Sequence, residues 1–244
     1  FNKKKAIVDH KMGTTRDINE SIITVNNQQI NFMDTAGLRR KRKIDDTIEY
    51  FSIVRTDRAV ENADLIVFII DAQDLLNDQD KKILNTIIEQ HKNCILFVNK
   101  WDLLERTDDT RKDIVRMLHY EIPYLEYVPI IVGSAQIKHN IQSLLNQIIS
   151  VYNASKTRIP TPKLNQYLET FFELNRPPSK KGKQFKVYYA VQLSSSPPKF
   201  IFKGNDKTLL TKPFLRYFEK QFRSFFPNSI GVGMEFVFQS KFKK

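Results

Sequence analysis

A single cysteine, Cys94, stands in 244 residues. One thiol excludes a disulfide framework and fits a reducing cytosol, so a cytoplasmic protein is expected. Long apolar runs are missing too. The longest, residues 65–70, reads Leu-Ile-Val-Phe-Ile-Ile, whereas a bilayer-crossing helix needs about 20 apolar residues. Glycine is scarce. The seven glycines are Gly13, Gly37, Gly133, Gly182, Gly204, Gly231 and Gly233. None opens a G-x-x-x-x-G-K-[S/T] loop of the kind that cradles phosphates. The four histidines, His10, His91, His119 and His139, show no metal-ligand spacing. No internal repeat and no low-complexity tract is present.

Hydrophobic residues make up 41% and charged residues 27%, a globular composition. The net charge of +12 is unevenly spread. Residues 1–155 hold 21 Lys and Arg against 22 Asp and Glu, whereas residues 156–244 hold 18 against 5. The second part also carries 17 of the 28 aromatic residues. Two domains are expected, 1–155 and 156–244. The basic one suits a polyanion such as RNA, and the bland alternative is a basic surface that serves solubility.

Periodicity in the first part alternates between strand and helix. Residues 22–25 and 29–33 flank Asn26-Asn27, an antiparallel hairpin signal. Residues 65–70, 94–98 and 128–132 are apolar runs suited to strands covered on both faces. Between and after them, 78–90, 110–121 and 141–152 carry helical spacing. Strands separated by helices imply an α/β fold, a mainly parallel sheet with helices on both faces. Lys156-Thr-Arg-Ile-Pro-Thr-Pro162 breaks the pattern. The second part reads helix, strand, strand, helix, strand, a small α+β layer. Along its first strand Phe185, Val187, Tyr189, Val191 and Leu193 are expected on one face. Tyr188, on the other, is the candidate for base stacking. In the second helix Arg216, Lys220 and Arg223 share a face and are the candidate RNA contacts.

Four short motifs carry chemistry. Asp34-Thr35-Ala36-Gly37 follows a strand. A strand-end Asp can hold Mg²⁺, and the glycine lets a backbone N–H approach a terminal phosphate. Asn99-Lys100-Trp101-Asp102 follows the 94–98 strand. The Asp102 carboxylate would accept the two N–H groups of guanine's Watson–Crick edge and repel adenine. Asn99 would hold the loop and contact the purine edge, and the Lys100 stem would cover the ring. Ser134-Ala135 follows the next strand and offers its backbone to the guanine oxygen. Gly13-Thr14-Thr15-Arg16-Asp17 precedes the hairpin, and a threonine hydroxyl there can ligate Mg²⁺ beside a γ-phosphate. Their order is that of a translation-factor-type GTPase. Cys94, in a buried strand, reads as core.

These motifs resemble the second GTPase domain of the bacterial Der (EngA) family. Asp34-Thr-Ala-Gly-Leu-Arg-Arg-Lys41 and Asn99-Lys-Trp-Asp-Leu103 are the most specific stretches. Lys186-Val-Tyr-Tyr189 and Pro197-Pro198-Lys-Phe200 resemble that family's C-terminal KH-like domain. The resemblance implies a P-loop-type GTPase domain over 1–155 and a KH-like domain over 156–244, with the phosphate loop outside these residues. It implies GTP hydrolysis coupled to assembly of the large ribosomal subunit, with rRNA and an upstream GTPase domain of the same protein as partners. Thr15 and Asp34 would serve Mg²⁺, and Thr15, Asp34 and Gly37 the reaction. Guanine nucleotide, GTP or GDP, would meet residues 34–38, from Asp34 through Thr35, Ala36 and Gly37 to Leu38. It would also meet Asn99, Lys100, Trp101, Asp102, Ser134 and Ala135. Leu38 stands where many GTPases carry a water-orienting Gln, so hydrolysis would use other groups. Related GTPases place K⁺ near residues 9–15. Two other readings stay open: a non-hydrolysing RNA- or ribosome-binding module on a degenerate GTPase scaffold, and a GTPase of tRNA modification, which the basic second domain disfavours. Gly204-Asn205-Asp206-Lys207 lacks the second glycine of an RNA-clamping G-x-x-G loop.

Overall fold

The structure is a computed structural model that describes residues 20–33, 60–122, 126–180 and 182–240. The chain divides into two units, Phe1–Ala63 and Asp64–Lys244. In the first, β1 (Glu20–Val25) and β2 (Gln28–Met33) form the expected antiparallel hairpin, with Val25 opposite Gln28. Asn26 and Asn27 both take positive φ, 50° and 63°. That backbone matches the twist of the flanking strands, and asparagine tolerates it.

The second unit opens with a parallel sheet in the order β3-β4-β5, built from β3 (Leu65–Asp71), β4 (Asn93–Asn99) and β5 (Ile130–Val132). Its helices are α1 (Asp78–Glu89), α2 (Asp108–Glu121) and α3 (Ile141–Ser155). Residues 93–98 of the central strand β4 are buried, as a strand between two neighbours and under helices requires. Caps set the helix starts. The Asn77 side chain accepts from Asp80 N while Asp80 answers to Asn77 N, and Thr107 accepts from Thr110 N. Thr107 therefore starts α2 at Asp108, two residues earlier than expected. The strand β5 is shorter than the expected 128–132. Pro129 has no N–H to donate, though its carbonyl accepts from Leu96 N at 2.9 Å. Cys94 is buried, and burial pushes its thiol up to about 12.

The chain then runs through 156–160 into α4 (Thr161–Leu174), β6 (Val187–Ser195), β7 (Pro198–Gly204), α5 (Lys212–Phe225) and β8 (Glu235–Ser240). The sheet order is β6-β7-β8, with β6 antiparallel and β8 parallel to β7. Phenylalanine makes this core. Phe200, Phe202, Phe218 and Phe222 are buried, and their rings meet edge to face at 4.8 Å (Phe200–Phe222) and 5.1 Å (Phe202–Phe218).

The phase of β6 differs from the expectation. A register shift between Val187 and Tyr189 inserts one residue and exchanges the two faces. Phe185 stays buried, but along the strand the inward residues are Ala190 and Gln192, while Tyr189 and Leu193 are 44% and 58% exposed. The buried Gln192 amide is satisfied. It accepts from Ile159 N at 2.7 Å and donates to Thr157 O at 2.9 Å, which pins the connecting segment to the new sheet.

The two sheets are joined at the start of β4. Gly233 N donates to Asn93 Oδ1 (3.0 Å), Cys94 N to Gly231 O (2.9 Å) and Gly231 N to Tyr127 O (2.6 Å). Asn93 also donates to Asp64 O at 2.7 Å. Gly231 takes φ +83°, a conformation glycine adopts without cost. The basic sheet is thus docked at the end of β4 opposite to Asn99. Among the described residues no helix is long and apolar enough to cross a membrane.

Candidate guanine-binding site

The site is built where β3, β4 and β5 end together. Asp71 and Asn99 are register partners, and Ala72 N donates to Asn99 O at 2.8 Å. The chain turns sharply after Asn99. Lys100 adopts φ +65°, and residues Trp101–Leu103 form one 3₁₀ turn. Backbone bonds lace this turn to the end of β5: Gly133 N to Val98 O (2.9 Å) and Trp101 N to Gly133 O (3.0 Å). A Cβ on Gly133 would stand 2.6 Å from His139 O, so only glycine permits that approach.

Three side chains finish the arrangement. Asn99 Oδ1 accepts from Ala135 N at 2.9 Å, tying the Asn-Lys-Trp-Asp loop to the Ser-Ala loop. Lys100 pairs with Asp71 at 2.5 Å, and this ammonium, with Gln73 N, holds the Asp71 carboxyl below the usual carboxylate range. Asp102 Oδ1 is buried and has no hydrogen-bond partner among the described residues. A buried acceptor without a donor costs roughly 1–3 kcal/mol, and a ligand presenting N–H groups removes that cost.

Asn99, Lys100, Asp102 and Ala135 therefore meet at one strand end. Trp101 is buried and serves as the wedge of the turn. Ser134 is also buried. Its N–H donates to His139 O, and its hydroxyl accepts from Ile137 N at 3.4 Å. The backbone N–H groups of Ser134 and Ala135 are thus both hydrogen-bonded within the protein. Thr15, Asp34, Thr35, Ala36, Gly37 and Leu38 lie outside the described residues, as does the 9–15 segment. Among the described residues no group of three or more His, Cys, Asp or Glu is arranged to hold a metal.

Sequence reasoning missed Asp71. The signal was present, an acid closing a buried run one strand over from Asn99, but nothing in the sequence gives the register that pairs it with Lys100. An open cavity of about 540 Å³ lies beside the loop, lined by Trp101, Arg106, Thr107, Asp108, Arg111, His139 and Asn140.

One of the three α5 candidates is placed differently from the expectation. Arg223 is buried at the junction. Its guanidinium donates to Glu219 Oε1 at 3.0 Å and to Val232 O at 2.9 Å, and it lies 4.4 Å from the Tyr127 ring centroid. It is unavailable to RNA, because the 3.6-residue period that aligned it with Lys220 also turned it toward the docked sheet. Lys220 pairs with Glu126 at 2.7 Å, and Arg216 is exposed. Replacing Arg223 with Gln should destabilise the fold by about 2–3 kcal/mol, since Val232 O and Glu219 lose their donor. Urea denaturation checks this, and a midpoint within error of the parent would contradict it.

A parallel α/β sheet whose strand ends carry an Asn-Lys-x-Asp turn tied to a Ser-Ala loop defines the P-loop-type GTPase class. The family model described as a 50S ribosome-binding GTPase matches residues 1–100. The model described as the KH-domain-like C-terminal region of EngA bacterial GTPase enzymes matches 158–239. Proteins called GTPase Der are similar over nearly the whole chain. The one from Alkaliphilus oremlandii is 37% identical over 241 residues, covering 99% of this chain and 54% of the relative. The one from Finegoldia magna is 37% identical over 243 residues, covering 100% and 55%. A crystal structure of Era with MgGDPNP and a 16S ribosomal RNA fragment is 20% identical with a TM-score of 0.47, covering 96% of this chain and 83% of that one. The chain belongs to the Der (EngA) GTPase family and spans about half the length of the curated relatives it matches.

Proposed function

We propose that this chain is the guanine-nucleotide-binding and RNA-contacting portion of a GTP-hydrolysing protein that acts in assembly of the large ribosomal subunit. The observation that carries the nucleotide half is Asp102 Oδ1, a buried acceptor without a partner among the described residues, at the strand end that Asn99 and Lys100 also occupy. The guanine N–H groups supply the donors it lacks. The amide nitrogen of Asn99, which makes no hydrogen bond among the described residues, meets the purine edge. Lys100, its ammonium held by Asp71, lays its stem under the ring.

The hydrolytic half rests on sequence alone. Thr15 and Asp34 would ligate Mg²⁺, which neutralises phosphate charge. Gly37 would present its N–H to the γ-phosphate, and Thr35, Ala36 and Leu38 would complete that loop. K⁺ near residues 9–15 belongs to the same reading. The division into 1–155 and 156–244 assigns nucleotide chemistry to the first part and ribosomal RNA to the second, with its 18 Lys and Arg against 5 acids. A preceding GTPase domain and a cytoplasmic setting belong to the same reading.

Titration of the full-length protein with GDP and ADP tests the proposal. GDP binding at least about a hundredfold tighter than ADP is expected, because the Asp102 acceptor repels adenine's pattern. Absence of GDP binding would leave a degenerate scaffold as the correct reading.

A further inference from the structure

We infer that the sugar–phosphate backbone of RNA is engaged at the pole of the C-terminal sheet that carries Lys183, Lys186, Lys203, Lys207 and Lys212, not along the face of α5. This assignment rests on the RNA reading above.

The sheet has two ends. At one, Lys199 pairs with Glu235 across β7 and β8, beside the loop docked on β4. At the other, Gly204 pairs with Ser240 and with Val187, which places residues 183–187 and 203–212 together at the end away from the docked loop. Neutralising carboxylates sit at the docked end: Glu219 takes Arg223, Glu235 takes Lys199, and Glu126 takes Lys220. At the far pole the acid is Asp206, whose carboxylate accepts from Thr208 N at 3.0 Å and Thr208 Oγ1 at 2.7 Å. Lys183, Lys186, Lys207 and Lys212 are exposed, and none is ion-paired among the described residues.

The backbone that presents these lysines is fixed. Asn205 Oδ1 accepts from Lys186 N (2.9 Å), Asn205 Nδ2 donates to Gln184 O (2.8 Å) and Asn205 N to Lys186 O (3.0 Å). Lys207 N donates to Ser240 Oγ at 2.9 Å. A Cβ on Gly204 would stand 2.6 Å from the backbone oxygen of Lys186, so glycine permits the close approach of the two lysine-bearing segments. The cations are therefore pre-arranged, and binding orders little beyond the side chains themselves.

Aromatic surface beside the lysines selects RNA over an acidic peptide. Tyr188 and Tyr189 lie two and three residues after Lys186 and are 55% and 44% exposed, and Lys203 Nζ lies 5.6 Å from the Tyr189 ring centroid. Exposed rings next to ammonium groups suit unpaired bases stacked above a tracked phosphate chain.

The test is the salt dependence of binding of the full chain to a uridine 20-mer. Replacing Lys183, Lys186, Lys207 and Lys212 with Gln together should make the slope of log affinity against log salt shallower by about 3, at about 0.7 per lost phosphate contact. The corresponding four Lys→Arg changes should retain the slope, and the double change Lys112→Gln and Lys220→Gln should leave it unaltered. An unchanged slope in the Lys→Gln variant of a chain that binds RNA overturns the pole alone. Failure of the parent chain to bind RNA overturns the pole together with the RNA reading. Displacement of the RNA by polyglutamate as readily as by polyuridine assigns the pole to an acidic protein and overturns RNA as its occupant.

Discussion

Replacing Asp102 with Asn should cost GDP about two to three orders of magnitude in affinity and turn the preference toward xanthine nucleotides. The carboxylate can accept both guanine donors, the ring N–H and the exocyclic amine. Each such charge-assisted bond is worth about 1.5–3 kcal/mol. An amide of the same size keeps one acceptor and sets an N–H against a guanine N–H. Xanthine carries a carbonyl where guanine carries the amine, so the amide donor then meets an acceptor. The substitution should leave the fold alone, because Asp102 Oδ1 has no partner among the described residues to lose. That separates it from a structural lesion. The thermal midpoint should stay within about 1 °C of the parent while the GDP isotherm collapses. Retained preference for GDP over XDP would remove Asp102 from the base site.

The features that could be read from residue order are those with local causes. Asn26-Asn27 announced its hairpin because asparagine tolerates positive φ. Residues 94–98 announced a covered strand because nothing polar interrupts them. Asn99 and Asp102 announced a candidate base site because their chemistry is specific and their strand end is where ligands of such sheets bind. Other features arise from contacts distant in sequence. Gln192 looked like an outward residue on β6, but the irregularity after Val187 turned it inward, and its burial is explained by Thr157 and Ile159 more than 30 residues earlier. Arg223 shared a helical face with Lys220, and only the docking of the sheet shows that face divided between a surface ion pair and a buried clamp. Asp71 needed the β3–β4 register to become the partner of Lys100.

The junction between the two sheets makes Gly233→Ala the most damaging small substitution expected here. A Cβ at Gly233 would lie 1.9 Å from His91 O and 2.4 Å from the carbonyl carbon of His91, both backbone atoms that cannot rotate aside. His91 is itself held at φ +52°, and Lys92 N donates to Ile87 O. The docked loop must therefore retreat, and retreat breaks the buried bond from Gly233 N to Asn93 Oδ1. Overpacking costs about 1–3 kcal/mol and a lost buried partner about 1–3 more, so roughly 3–4 kcal/mol is expected in all. In a chain of this size that corresponds to a fall in thermal midpoint of about 6–16 °C. Gly182→Ala is the control. Gly182 has positive φ, 71°, but nothing within 4 Å of the added Cβ, so only the conformational penalty of about 1 kcal/mol applies. If the two variants melt together, the approach of Gly233 to His91 is not what holds the basic sheet against β4. If Gly233→Ala alone falls, the basic sheet is fixed at the opposite end of β4 from the candidate base-binding loop, and one strand carries both attachments.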